Sequence, residues 1–133
     1  MNIIIDTHIL LWSLFESEKL GDKLPAILTS SSNDVLVSDI SFWEISMKFA
    51  LGKLTLGKAY PDEIPESAIN AGFRIVPMDS SLLASYYRLP MIKHRDPFDR
   101  LLIWQTMKSG FTLCSYDNSM KEYEQFGLSL LSW

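Results

Sequence analysis

Four times in this chain an apolar, mostly β-branched run ends on an aspartate: Ile3-Ile4-Ile5-Asp6, Val35-Leu36-Val37-Ser38-Asp39, Arg74-Ile75-Val76-Pro77-Met78-Asp79 and Leu113-Cys114-Ser115-Tyr116-Asp117. Between these runs the apolar spacing lengthens to that of a helix. Strands alternating with helices restrict the chain to a parallel sheet with helices on both faces, a three-layer α/β/α sandwich with a central, mostly parallel sheet. In open α/β sheets ligands bind beyond the carboxyl ends of the strands. The terminal aspartates are therefore expected to gather at the binding edge.

Taken in order, strands are expected at Asn2 to Ile5, Asp34 to Val37, Phe73 to Met78, Phe111 to Ser115 and Leu128 to Leu131, with a short extended piece at Lys53 to Leu56. The first helix follows Asp6-Thr7 and carries Ile9, Leu10, Leu11, Trp12, Leu14 and Phe15. A second carries Leu24, Ile27 and Leu28, and a third runs from Ile40 to Gly52 with Ile40, Trp43, Met47, Ala50 and Leu51 on one stripe. Pro61 and Pro65 bracket the entry to a helix through Ile69 and Ala71; Asp79-Ser80 caps another, which Pro90 closes. Asp96-Pro97 suits the cap and first position of a helix ending at Ser109-Gly110, and Asp117 starts one that Gly127 stops.

The 133 residues suit one domain, residues 1–133, with ordinary globular composition, 47% hydrophobic and 21% charged. Cys114 is the only cysteine, which rules out an intramolecular disulfide and a cysteine zinc cage and fits a reducing compartment. Asp6 interrupts the first apolar run and no basic leader precedes it, so the expected setting is cytoplasmic, with no membrane span. A formal charge of −4 excludes a protein that coats duplex nucleic acid through a basic face. It leaves room for a nuclease whose carboxylates hold cations, because the loaded site attracts phosphate.

Two acids stand out for their company. Asp99 lies among Phe98, Leu101, Leu102 and Ile103, which can anchor a helix in a core, and an unpaired charge there is costly. Its neutraliser is a capping role at the third helical position, a basic partner such as Arg100, or a shared metal ion. Glu44 shares a helix face with Ile40, Met47 and Leu51, and its simplest alternative is a capping box with Ser41. Asp6 and Asp117 read individually as caps, and Asp96 as the cap before Pro97. Together, two cap-like acids at strand ends and two more on flanking helices form a site. Like charges repel by roughly 4 kcal/mol for a pair about 4 Å apart at an effective dielectric of about 20. A cation resolves that repulsion, and oxygen ligands favour Mg²⁺ or Mn²⁺. Asp6, Glu44 and Asp99 are the expected ligands, with Asp117 a further ligand or an outer group holding water. Such a centre lowers the pKa of a bound water and aligns it on a phosphodiester.

Four stretches then resemble the PIN domain family, specifically the VapC-like toxin ribonucleases of type II toxin–antitoxin pairs. They are Ile4-Ile5-Asp6-Thr7-His8-Ile9-Leu10-Leu11-Trp12, Ser41-Phe42-Trp43-Glu44-Ile45-Ser46-Met47-Lys48, His94-Arg95-Asp96-Pro97-Phe98-Asp99-Arg100-Leu101-Leu102-Ile103 and Ser115-Tyr116-Asp117. The resemblance covers nearly the whole chain and implies a PIN-like fold, Mg²⁺- or Mn²⁺-dependent endoribonuclease activity on RNA, a homodimer, and a small antitoxin whose tail enters the active-site groove. It maps the family's third acid onto Asp99 and its fourth onto Asp117. Ser115 stands where the family often has Thr, keeping the hydroxyl, and Met120 where it often has Phe.

Secondary candidates surround these acids. His8 and His94 suit phosphate contact or proton transfer, Lys48 suits a pair with Glu44 or a substrate phosphate, and Arg95 and Arg100 suit the RNA backbone. A phosphorelay receiver would need a second acid after the first strand and a lysine after the last; an aspartyl phosphatase would need Asp where His8 stands. The remaining rival is a catalytically silent PIN-like module that binds protein or RNA.

Overall fold

The computed structural model describes residues 1–94 and 96–133; the Arg95 candidate lies outside the described residues. Strands β1 (Asn2–Ile5), β2 (Asp34–Ser38), β3 (Arg74–Val76) and β4 (Thr112–Cys114) form one sheet in the order β3-β2-β1-β4, with every pairing parallel. Helices α1 (Thr7–Phe15), α2 (Leu24–Thr29), α3 (Asp39–Ala50), α4 (Ile64–Asn70), α5 (Ser80–Ser85) and α6 (Pro97–Ser109) connect and cover it. The expected α/β/α architecture is observed.

The period-2 alternation of a strand builds the two cores. Ile3, Ile5, Val35, Val37 and Cys114 face one side, against Ile9, Leu10, Leu24, Ile64 and Ala68. Ile4, Leu36 and Leu113 face the other, against Leu102, Ile103, Tyr123 and Leu128. Helix α3 feeds both, with Ile45 in the first cluster and Ile40 in the second, and it packs on α1 and α6. Strand β1 is central and fully buried beyond Asn2. The chain moves outward from β1 through β2 to β3, then returns to the opposite side of β1 as β4. The topological switch point therefore lies between the carboxyl ends of β1 and β4.

Several expected elements are shorter or different. No fifth strand forms: Leu128 to Leu131 runs beside β4 through Leu113 N–H to Ser129 O (2.9 Å) and Leu131 N–H to Leu113 O (2.8 Å), a single bridge. Strand β3 stops before Pro77, which has no N–H for the ladder. Lys53 to Leu56 is irregular, and the segment after Asp117 is a 3₁₀ helix, Asn118–Phe126. On α3 the buried face is Ile40, Ser41, Glu44 and Ile45, while Trp43 and Leu51 point outward. A stripe that includes polar Ser41 and Glu44 is not visible as an apolar period.

Arg100 is 2% exposed. Its guanidinium donates to Leu89 O (3.1 Å), Pro90 O (3.0 Å), Tyr86 Oη (2.9 Å) and Tyr123 Oη (2.9 Å), and it lies over both tyrosine rings. Among the described residues no carboxylate pairs with it. The expected roles of Arg100 as partner of Asp99 or as RNA contact are thus corrected: burial turns it inward, where it fastens the 86–90 segment to α6. Tyr123 Oη in turn donates to His94 O at 2.7 Å. Removing the guanidinium leaves four acceptors without this donor, two of the bonds, to Leu89 O and Tyr123 Oη, being buried, and an unsatisfied buried polar group costs about 1–3 kcal/mol. Arg100→Met should lower unfolding free energy by about 3 kcal/mol in urea titration, and Tyr123→Phe by about 1 kcal/mol.

Candidate active site

Parallel pairing places Ile5 opposite Cys114, and Asp6 N–H continues the ladder to Cys114 O at 3.1 Å. Asp6 and the segment Ser115 to Asp117 therefore leave the sheet side by side. Asp6 caps α1, with Oδ1 accepting from Ile9 N–H at 2.8 Å. Burial holds its carboxyl above the ordinary carboxylate range, aided by the charge of Glu44; bonds from Ser115 and Ile9 and the nearby His8 oppose the rise. The Ser115 hydroxyl accepts from Asp117 N–H at 3.0 Å and stands near enough to Asp6 to favour its charged form, so it links the two strand-end acids. Cys114, buried beside Asp6, has its thiol pushed up to about 12, so it is inert.

Glu44 arrives from α3 and is 5% exposed. Oε1 accepts from the Thr7 hydroxyl at 2.6 Å and Oε2 from Lys48 Nζ at 2.5 Å. The alternative role of Glu44, a capping box with Ser41, does not form. Strand β2 continues to Ser38, whose hydroxyl caps the helix at Ile40 N–H, so Ser41 and Glu44 lie inside it. Burial works against the charge of Lys48, but the Glu44 bond and charge outweigh it and hold the ammonium above its ordinary range. The pair of Lys48 with Glu44 forms, at i,i+4 spacing, and is largely buried on the Glu44 side.

Asp96 caps α6 and accepts from Asp99 N–H at 3.0 Å. Asp99 then projects from the first turn toward His94, whose Nε2 stands 3.0 Å from Oδ2. Burial, with the charges of Asp96 and Glu44, pushes the Asp99 carboxyl up to about 6, His94 opposing. Asp117 caps the 3₁₀ segment and accepts from Ser119 N–H (2.9 Å) and Oγ (2.6 Å). The Ser119 hydroxyl chiefly holds the Asp117 carboxyl below its ordinary range. His94 Nδ1 lies 2.7 Å from Ser119 Oγ. Ser119 has one hydroxyl hydrogen, and directed at Asp117 it leaves Oγ to accept from Nδ1–H. Nε2 then carries the lone pair, and it faces a carboxylate oxygen. Two acceptors at this separation need a proton or a cation between them.

Four expected acids thus reach one edge, although not one point. His94, Asp99 and Asp117 each offer a ligand atom, all within 4.8 Å of one another. Asp6 and Glu44 stand near enough to feel each other's charge. A cavity of about 300 Å³ lined by Asp6, His8, Trp12, Tyr116 and Asp117 opens beside them. The other strand-end acids have local tasks: Asp39 accepts from Met78 N–H and Asp79 caps α5 at Leu82 N–H. Thr7 and Ser119 were not singled out from sequence, because a hydroxyl beside a capping acid is an ordinary turn signal.

A family model described as "PIN domain" matches residues 3–125. Among solved structures, the chain is similar to VapBC2 from Rickettsia felis bound to a promoter DNA fragment, at 15% identity and TM-score 0.69, over 100% of this chain and 99% of that one. It is similar to FitAcB from Neisseria gonorrhoeae at 20% identity and TM-score 0.67, over 98% and 96% of the two chains. It also resembles VapC20 of Mycobacterium tuberculosis, described as a sarcin-ricin loop cleaving toxin, at 11% identity and TM-score 0.62, over 95% of each chain. These likenesses show the fold. No match is found among curated proteins.

Because Asp99 binds a proton more tightly folded than unfolded, the folded state takes up protons between about pH 6 and the ordinary value of 3.8. The metal-free protein should therefore gain stability as pH falls from 7 to 5. Asp99→Asn should flatten that slope and stabilise the apo protein at pH 7 by on the order of 1 kcal/mol, measured by thermal melts in chelator across the pH series.

Proposed function

The chain belongs to the PIN domain family, and from that premise we propose that it is a divalent-metal-dependent endoribonuclease, the VapC-like toxin of a toxin–antitoxin pair. The observation that supports this reading is that Asp6, Glu44, Asp99 and Asp117 lie along one edge, beside the switch point between β1 and β4. Residues 1–133 form its nuclease domain, working in the cytoplasm as a homodimer. Among the described residues no helix is long and apolar enough to cross a membrane.

The donor set suits a cation. Asp99 and Asp117 offer oxygen atoms within 4.8 Å of each other and of a His94 nitrogen, and the raised Asp99 carboxyl marks a place where positive charge is in demand. Mg²⁺ or Mn²⁺ bound there would activate water and neutralise charge on a phosphodiester. The chain supplies the rest. Ile9 N–H and Ser115 orient Asp6; Ser119 orients Asp117; Thr7 and Lys48 hold Glu44 behind them. His8 and Lys48 are the nearby groups for substrate phosphates. The cavity walled by Trp12 and Tyr116 lies on the same edge, with room for RNA next to the acids. Trp43, 61% exposed, borders a separate apolar pocket of about 220 Å³ with Leu83, Tyr86 and Phe98, a face that suits a protein partner such as the antitoxin or a second copy.

One observation favours the silent-module reading: Asp6, Asp96 and Asp117 all cap helices, and Glu44 is neutralised by Lys48. Cleavage of labelled single-stranded RNA by antitoxin-free protein separates the two. Cutting should require Mg²⁺ or Mn²⁺, stop with chelator, and fall by about 100-fold or more in Asp6→Asn and in Asp99→Asn. Folded wild type that binds RNA or a protein partner yet cuts nothing with either metal would establish the silent module instead.

A further inference from the structure

The resemblance to PIN nucleases brings a set of carboxylates; this structure puts a nitrogen among them. Resting on the metal-dependent reading above, we propose that His94 Nε2 is a direct metal ligand beside Asp99 and Asp117, so that the site selects a first-row transition ion such as Mn²⁺ over Mg²⁺.

The distances fit. Adjacent ligands of an octahedral ion bound at about 2.1 Å lie about 3.0 Å apart. His94 Nε2 and Asp99 Oδ2 are 3.0 Å apart, and an Asp117 oxygen lies within 4.8 Å of an Asp99 oxygen and of a His94 nitrogen, close enough to be drawn onto the same ion. Glu44 is a poorer candidate for that place, because both its oxygens are already bonded, one to Thr7 and one to Lys48.

The imidazole is also held as ligating histidines are. A metal-bound histidine commonly donates its remote N–H to a fixed acceptor, which sets the tautomer and the ring orientation. Here Nδ1 meets Ser119 Oγ at 2.7 Å, and Ser119 is itself committed to Asp117. The backbone of His94 is fastened from the other side: Tyr123 Oη donates to His94 O, and the buried Arg100 guanidinium donates to Tyr123 Oη. The Tyr123 ring packs edge-on against the imidazole, with centroids 6.2 Å apart. Three residues from two elements, the 3₁₀ segment and α6, thus fix one ring with Nε2 toward Asp99. An imidazole nitrogen binds transition ions far better than Mg²⁺, which prefers oxygen.

The chain has two histidines, which makes the test decisive. Pulsed electron paramagnetic resonance of stoichiometrically bound Mn²⁺ reads ligand nitrogen directly through its ¹⁴N modulation. Wild type and His8→Ala should both show it, and His94→Ala should lose it. By calorimetry, Mn²⁺ affinity should fall about 10-fold or more in His94→Ala, with Mg²⁺ affinity changed by less than about 3-fold, and Ser119→Ala should weaken Mn²⁺ by about 10-fold. Bound Mn²⁺ without nitrogen modulation in wild type, or modulation that survives His94→Ala, overturns the assignment while leaving a metal nuclease intact. Wild type that binds no Mn²⁺ overturns the assignment and the metal-dependent reading together.

Discussion

The pairing of β1 with β4 is the contact on which the site depends. It sets Ile5 against Cys114 and sends the chain out of the sheet as Asp6 on one strand and Ser115 on the next. Reversing the order of strands at this point opens a crevice that neither neighbouring crossover helix fills, which is why parallel sheets bind ligands there. Helices α3 and α6, packed on each other, then bring Glu44 and Asp99 to the crevice. A shift of one residue in the β1–β4 register would exchange the inward and outward faces of Ile3, Ile4 and Ile5. Both cores resist that slip, so the same burial that folds the sheet aligns the acids.

The chain manages the resulting crowd of negative charge by giving each carboxylate a different environment. Asp117 is exposed and doubly bonded to Ser119, so it stays ionised easily. Glu44 is buried but meets Lys48 and Thr7. Asp6 is buried and capped, and its charge is opposed mainly by desolvation. Asp99 is raised by burial and by the charges of Asp96 and Glu44, with His94 against them. Positive charge is favoured at Asp99, where the imidazole stands. Arg100, a buried cation among the described residues, faces away into carbonyl and phenol oxygens, so it stiffens the His94 loop without quenching the site.

Much of this was legible from residue order. Each of Asp6, Asp96 and Asp117 caps the segment that its position announced, because capping depends only on a side-chain oxygen and the next turn's N–H groups. The four paired strands follow from β-branched runs, and Gly110 ends α6 in the left-handed region, as expected of a residue without a Cβ. Errors fell where partners are distant. Leu128 to Leu131 had the composition of a strand, yet only Leu113 receives it. The apolar period puts the α3 stripe on residues that include Trp43 and Leu51, since a buried face carrying Ser41 and Glu44 gives no apolar period. Arg100 read as a surface cation because nothing local shows that two tyrosines and two carbonyls await it.

The sequence by itself determined the alternation of strand and helix, the caps, and the presence of an acid at each strand end, since all of these are written in contacts a few residues long. Tertiary structure alone decided which acids meet. It separated Asp39 and Asp79 from Asp6 and Asp117, turned Glu44 toward Lys48 and Thr7, and brought His94 and Ser119 between Asp99 and Asp117. Strand order and the packing of α3 and α6 set those distances. Both are properties of the whole core, which no local stretch of sequence encodes.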